Sequence, residues 1–117
     1  MKLAVAQFEP KDGNKKYNLS IIDRLTKKAK QQGADVISFH EMSITAYTFM
    51  KNLNFPEIKS LAENIPDGKS TRELIKISKR YEIPILGGLL EIENNRFFNT
   101  YICVNNGKVI AKFRKLH

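Results

Sequence analysis

Gly33-Ala34-Asp35-Val36-Ile37-Ser38-Phe39-His40-Glu41 is the stretch whose reading decides the fold. Gly33 stops a helical pattern as a C-cap, Asp35 to Phe39 is a buried apolar strand, and Glu41 sets a carboxylate just past its end. Upstream, Leu19, Ile22, Leu25, Thr26 and Ala29 recur near a helical period of about 3.6 residues with Lys and Asp between them. Before that helix, Lys2 to Phe8 is a short apolar strand, ended by the turn chemistry of Glu9-Pro10-Lys11-Asp12-Gly13. Strand, helix and strand in this order predict a βαβ unit with parallel strands and a right-handed connection. Ligand crevices in open α/β sheets lie at the C-terminal ends of such strands, which makes Glu41 a residue to question.

Downstream, Met42 to Phe55 mixes polar and aromatic residues and is expected to be a loop bordering a pocket. Ile58, Leu61, Ala62 and Ile65 give a short helical pattern, and Pro66-Asp67-Gly68 is a turn. Ser70 followed by Glu73 matches a capping box ahead of a helix carrying Leu74, Ile75, Ile77 and Tyr81. Ile83 to Leu90 is a near-continuous apolar strand broken by Asn94-Asn95. Phe97 to Val104 and Lys108 to Phe113 are two further strands around Asn106-Gly107, a strong hairpin signal.

A chain of 117 residues, 42% of them hydrophobic, has the size and composition of one folded domain. No apolar run approaches the roughly 18 residues needed to span a bilayer, and Met1-Lys2-Leu3 leads straight into a strand, so a cytoplasmic protein without membrane contact is expected. The net charge of +8 raises nucleic acid as a partner. Yet Lys27, Lys28 and Lys30, and then Lys76, Lys79 and Arg80, fall on the outer faces of amphipathic helices, where charge is ordinarily solvated, and no nucleic-acid partner is expected. Cys103 is the single cysteine, which excludes an internal disulfide and a multi-Cys zinc site. It sits inside the strand Tyr101-Ile102-Cys103-Val104, where apolar neighbours should bury the thiol and raise its pKa. His40 and His117, the two histidines, lack clustered ligand partners, so no metal is expected, and Gly87-Gly88 lacks the spacing of a phosphate loop.

Two residues remain for chemistry. Glu41, taken alone, reads first as a solvated strand-end carboxylate. Lys115, after the apolar run of the last strand, reads alone as part of a basic tail. A Lys beside a carboxylate would, however, supply a compact positive charge to an oxyanion, a task for which Arg114 is no equivalent.

Several motifs in order add to this. Gly33 to Glu41, followed by Thr45-Ala46-Tyr47, resembles the Glu-ended strand and Thr-Gly-Tyr of the nitrilase superfamily of carbon–nitrogen hydrolases. Ile65-Pro66-Asp67-Gly68 with Ser70-Thr71, Gly88-Leu89-Leu90-Glu91, Phe98-Asn99-Thr100 and Phe113-Arg114-Lys115-Leu116-His117 are similar to successive signals of the same family. Together they span essentially the whole chain; His40 where many members have Pro, and Ala46 where Gly is usual, depart from the pattern.

The resemblance implies half of a four-layer α-β-β-α sandwich, residues 1–117 being the N-terminal portion of one hydrolase domain. It implies a Cys-Glu-Lys triad, with Glu41 as general base and Lys115 stabilising the tetrahedral intermediate, at neighbouring strand tips. Glu91, Tyr47, Asn99 and His117 are the implied supporting residues. The nucleophilic Cys and a further Glu are expected beyond Lys115, so the 117 residues alone should be inactive. The implied substrate is a nitrile or amide, the implied assembly a homo-oligomer, and no cofactor is implied. The alternatives are a binding or assembly module that keeps the fold without the nucleophile, and a basic nucleic-acid-binding domain.

Overall fold

In a computed structural model, residues 1–46 and 51–115 are described, so Tyr47 and His117 lie outside the described residues. The elements are β1 (Leu3–Ala6), α1 (Lys15–Gln31), β2 (Val36–Phe39), α2 (Phe55–Leu61), α3 (Lys69–Tyr81), β3 (Ile85–Glu93), β4 (Arg96–Asn105) and β5 (Lys108–Arg114). The five strands form one sheet in the order β1-β2-β3-β4-β5, with β1, β2 and β3 parallel and β4 and β5 antiparallel to their predecessors. No helix among the described residues is long and apolar enough to cross a membrane.

The helix starts follow local chemistry, with one departure from expectation. Asn14 caps α1, its side chain accepting from the Tyr17 amide, and Gly33 takes a left-handed φ of 84° just past the helix end. The predicted Ser70–Glu73 capping box does not form. Gly68 is the N-cap of α3, and the Ser70 amide and hydroxyl both donate to the carboxylate of Glu63, seven residues upstream. A carboxylate at a helix N-terminus satisfies orphan amides and the helix dipole together, so the distant acid displaces the local one. A capping box forms instead at α2, between Asn54 and Glu57. Both hairpin turns are tight because Asn94, Asn95, Asn106 and Gly107 all adopt positive φ.

Strand register sorts side chains onto two faces. Ile37, Ile85 and Val104 lie in one row and pack with Ile22, Ala29, Leu74 and Ile77 of the helices to form the core. Phe39 and Ile102 extend that layer. The opposite face carries Val5, Ser38, Leu86, Cys103 and Ala111 in register, with Leu3 and Val36 beside them and Tyr101 paired to Phe113. Nothing in the described chain covers it: Leu3, Val5 and Phe113 are 56%, 71% and 63% exposed. Cys103 lies on this open face, half-buried, and not in the helix-packed core as its apolar neighbours suggested; burial still pushes its thiol pKa up. Contiguous apolar surface of this kind seldom persists on a monomer. The purified 117-residue chain is therefore expected to self-associate, and a single monomeric species in sedimentation velocity with a cooperative melt would contradict this.

Candidate active site

Glu41 and Lys115 meet. The Lys115 ammonium is 3.1 Å from Glu41 Oε2, and Asn99 Nδ2 donates to the same oxygen at 3.3 Å. The two strands that lead to them are not neighbours, however. β3 and β4 stand between β2 and β5 in the sheet, so the expectation of adjacent strand tips needs correction.

Glycine explains how the gap closes. After Phe39 the chain leaves the sheet and turns against Gly88 of β3, so closely that a Cβ there would lie 2.4 Å from the Met42 amide nitrogen and 3.1 Å from Glu41 Cα. Only a residue without a side chain lets Glu41 lean across β3 toward β4 and β5. The turn is then pinned on every side. Ile44 donates to the Gly88 carbonyl at 3.1 Å, Gly88 donates to Ser43 Oγ at 3.3 Å, and Gly13 donates to the Thr45 carbonyl at 2.9 Å. Asn18, fully buried on α1, donates to the Ile44 carbonyl at 2.8 Å and also bonds both backbone groups of Lys11. Met42 to Ala46 is thus a buried turn and not merely a pocket rim, and Met42 and Ala46 pay for it in positive φ values of 53° and 67°. A left-handed backbone at position 46 is what glycine accommodates most readily.

Gly88→Ala is expected to destabilise the protein by about 2 kcal/mol or more, because the clash is with backbone and the pinned turn must move. A denaturant melt reads this directly. A variant as stable as the parent would show that the turn yields at little cost.

On the other side of the site, β5 carries Lys115 to its place through one last backbone bond, from the Lys115 amide to the Asn99 carbonyl at 2.9 Å. Below lies a cavity of about 440 Å³ on the open face, lined by Phe39, Glu41, Asn99, Tyr101, Phe113, Arg114 and Lys115. Tyr101 forms its floor; its hydroxyl donates to the Phe39 carbonyl and also bonds Ser38 Oγ. The sequence reading missed Tyr101, although its position two residues after Asn99 puts both on one face of β4. It also missed Asn18, which acts from a helix, and quoted Gly88 without its role in admitting the turn.

Glu91 is elsewhere. It pairs along the sheet with Phe98 and points to the face opposite the site, where Thr100, Lys112 and Arg114 surround it. His40 stacks edge-on to Phe8 with its Nδ1 buried and unpartnered, and burial lowers its pKa. The largest cavity among those described, about 690 Å³, lies between α1 and α3 around Glu63 and does not reach Glu41. Its carboxylate is already committed, to Ser70 and to Lys15 at 2.8 Å.

A carboxylate and an ammonium in contact, one able to accept a proton and the other able to neutralise an oxyanion, flank an open space at the strand ends. Among the described residues no thiol lines that space. The family model for carbon-nitrogen hydrolase matches residues 2–117. The chain is 28% identical over 117 residues to a nitrilase of Pyrococcus abyssi, covering all of this chain and 44% of the relative. It is 33% identical over 105 residues to the omega-amidase NIT2-B of Xenopus laevis, covering 88% of this chain and 36% of the relative. It thus spans less than half the length of these curated relatives. An amidase from Nesterenkonia sp. superposes over the whole chain and 43% of its own, with a TM-score of 0.79 at 19% identity, a likeness of fold. In a glutamate-to-glutamine mutant of that amidase, acrylamide has added to the active site cysteine.

Proposed function

Because the chain belongs to the carbon–nitrogen hydrolase family, we propose that it supplies the Glu41 general base and the Lys115 oxyanion stabiliser of an enzyme cleaving a nitrile or amide with a thiol from outside residues 1–117. The 3.1 Å contact between Glu41 and Lys115, from strands that are not neighbours, is the observation that carries this reading. A structural ion pair at the surface gains about 1 kcal/mol at most, too little to account for a turn with two non-glycine residues in left-handed backbone.

The chemistry follows from the parts. The thiol approaches from the open face, where the cavity lies. Glu41 takes its proton, the thiolate attacks the amide or nitrile carbon, and negative charge gathers on the oxygen or nitrogen. Lys115 sits within reach of that charge, and Asn99 holds the Glu41 carboxylate in place. With an amide, Glu41 then returns the proton to the departing ammonia or amine and a thioester remains; a nitrile first gives a thioimidate, to which water adds before ammonia departs. Water then attacks the thioester with Glu41 again as base, releasing the acid and the thiol. Amides are the favoured substrates, since the relatives more than 30% identical are named omega-amidases. In the assembled enzyme the exposed apolar face is covered by the remainder of the domain, and the whole protein is a homo-oligomer.

The test is ammonia release from a panel of short amides and nitriles, measured for residues 1–117 and for the polypeptide that continues past His117. The 117-residue chain is expected to be inactive and the longer one active on amides. Activity in the 117-residue chain, or a longer polypeptide without a cysteine at the cavity, would overturn the proposal.

A further inference from the structure

The contact between Glu41 and Lys115 cannot hold itself. Both side chains are about half exposed, at 56% and 50%, and an ion pair of that kind competes with water and with the rotamer freedom of a long lysine. Lys115 also lies at the end of an edge strand, one residue past β5, where backbone pairing is weakest. The bond from its amide to the Asn99 carbonyl holds its backbone, but the direction of its side chain must be fixed by something else.

On the other face of the sheet the preceding residue is held by three residues. The Arg114 guanidinium bonds Glu91 through Nε at 2.9 Å and Nη2 at 3.1 Å, reaches Glu93 at 3.1 Å, and stacks 3.8 Å from the centre of the Phe98 ring. Glu91 is 1% exposed and also accepts from Thr100 Oγ1 and Lys112 Nζ, both at 2.7 Å. Its carboxylate is thus a rigid anchor common to β3, β4 and β5. A planar guanidinium gripped in this way fixes the direction of its own Cα–Cβ bond, and in extended chain that sets the direction of the next side chain on the opposite face.

We infer that the Glu91–Arg114 clamp is a positioning device for catalysis: by anchoring Arg114 beneath the sheet it aims Lys115 at Glu41 above it. Neither Glu91 nor Arg114 delivers a charged group to the reacting atoms; both act through Lys115. The inference rests on the proposed role of Lys115, and its test separates the two.

In the full-length hydrolase, Arg114→Met, Glu91→Gln and Lys115→Met are compared by kcat and KM on one amide, at a temperature where circular dichroism shows each variant folded. Both clamp variants are expected to lower kcat about tenfold or more with KM within about threefold, the pattern of lost transition-state stabilisation. Their combination should cost little more than either alone, because the two residues act as one unit. Arg114→Lys, which keeps charge without the planar fork, should restore only part of the loss. Parental kcat in either folded clamp variant, or a kcat loss matching a loss of folded protein, would overturn the inference, as would failure of both variants to fold. If Lys115→Met itself retained parental kcat, the catalytic reading would fail first and take the clamp with it. A large loss in Lys115→Met alone would defeat only the clamp.

Discussion

Glu41→Gln in the thiol-bearing enzyme is expected to lower kcat/KM by about a hundredfold or more near pH 7, the usual scale of a missing general base. Gln keeps the shape of the side chain and its contact with Asn99 but takes no proton. A cysteine thiol of ordinary pKa, about 8.5, is mostly un-ionised at neutral pH, so without the carboxylate only a few per cent attacks as thiolate. The deficit should therefore shrink as pH rises and the thiol ionises unaided. The check is a pair of pH–rate profiles from pH 6 to 9 for parent and variant. A deficit of equal size at every pH would assign Glu41 a role other than proton transfer. Cys103→Ala is the natural control: on the open face, away from the cavity, it should leave kcat unchanged.

The second large effect concerns stability. Glu91→Ala is expected to cost about 3 kcal/mol or more, because it strips the carboxylate partner from Lys112, leaves Arg114 only Glu93 to pair with, and leaves Thr100 Oγ1 buried without an acceptor. The cost should stay near the low end of the range for broken buried pairs, since the two cations are about a third exposed, at 31% and 29%, and turn to water. The same group gives stability a pH signature. Burial alone would raise the Glu91 carboxyl, but the bonds from Arg114, Lys112 and Thr100 outweigh it and hold the pKa at about 2, against an ordinary 4.5. The folded-state pKa is depressed, so this stabilisation is fully present above the unfolded value and is lost as pH falls from 4.5 toward 2. The shift corresponds to about 3 kcal/mol before screening and nearer 2 after allowing for solvent at the two cations. Melts of parent and Glu91→Gln at pH 7 and pH 3 check it. The gap between them should narrow at the lower pH, and a constant gap would show that the carboxylate charge contributes nothing.

Local pattern carried the reading of the elements. The helical repeat from Leu19 to Ala29, the stop at Gly33, the apolar runs of β2 and β3 and the Asn106-Gly107 turn each depend on neighbours in sequence, where side-chain period and backbone preference act directly. Glu41 and Lys115 were legible as strand-end charges for the same reason, since each lies just past an apolar run, but their catalytic roles came only from the resemblance to the family. Their contact was not legible. It depends on Gly88 giving way to the chain after β2, on Asn18 and Gly13 pinning the turn, and on two strands lying between the partners. The cap of α3 moved from Glu73 to Glu63, and the carboxylate of Glu91 found its three donors, by the same kind of long-range encounter. Sequence alone determined where strands, helices and turns fall, because those choices are settled within a few residues. Tertiary structure alone decided which charged groups are paired, which are buried and which face the site, because those energies depend on distances that only the folded chain creates.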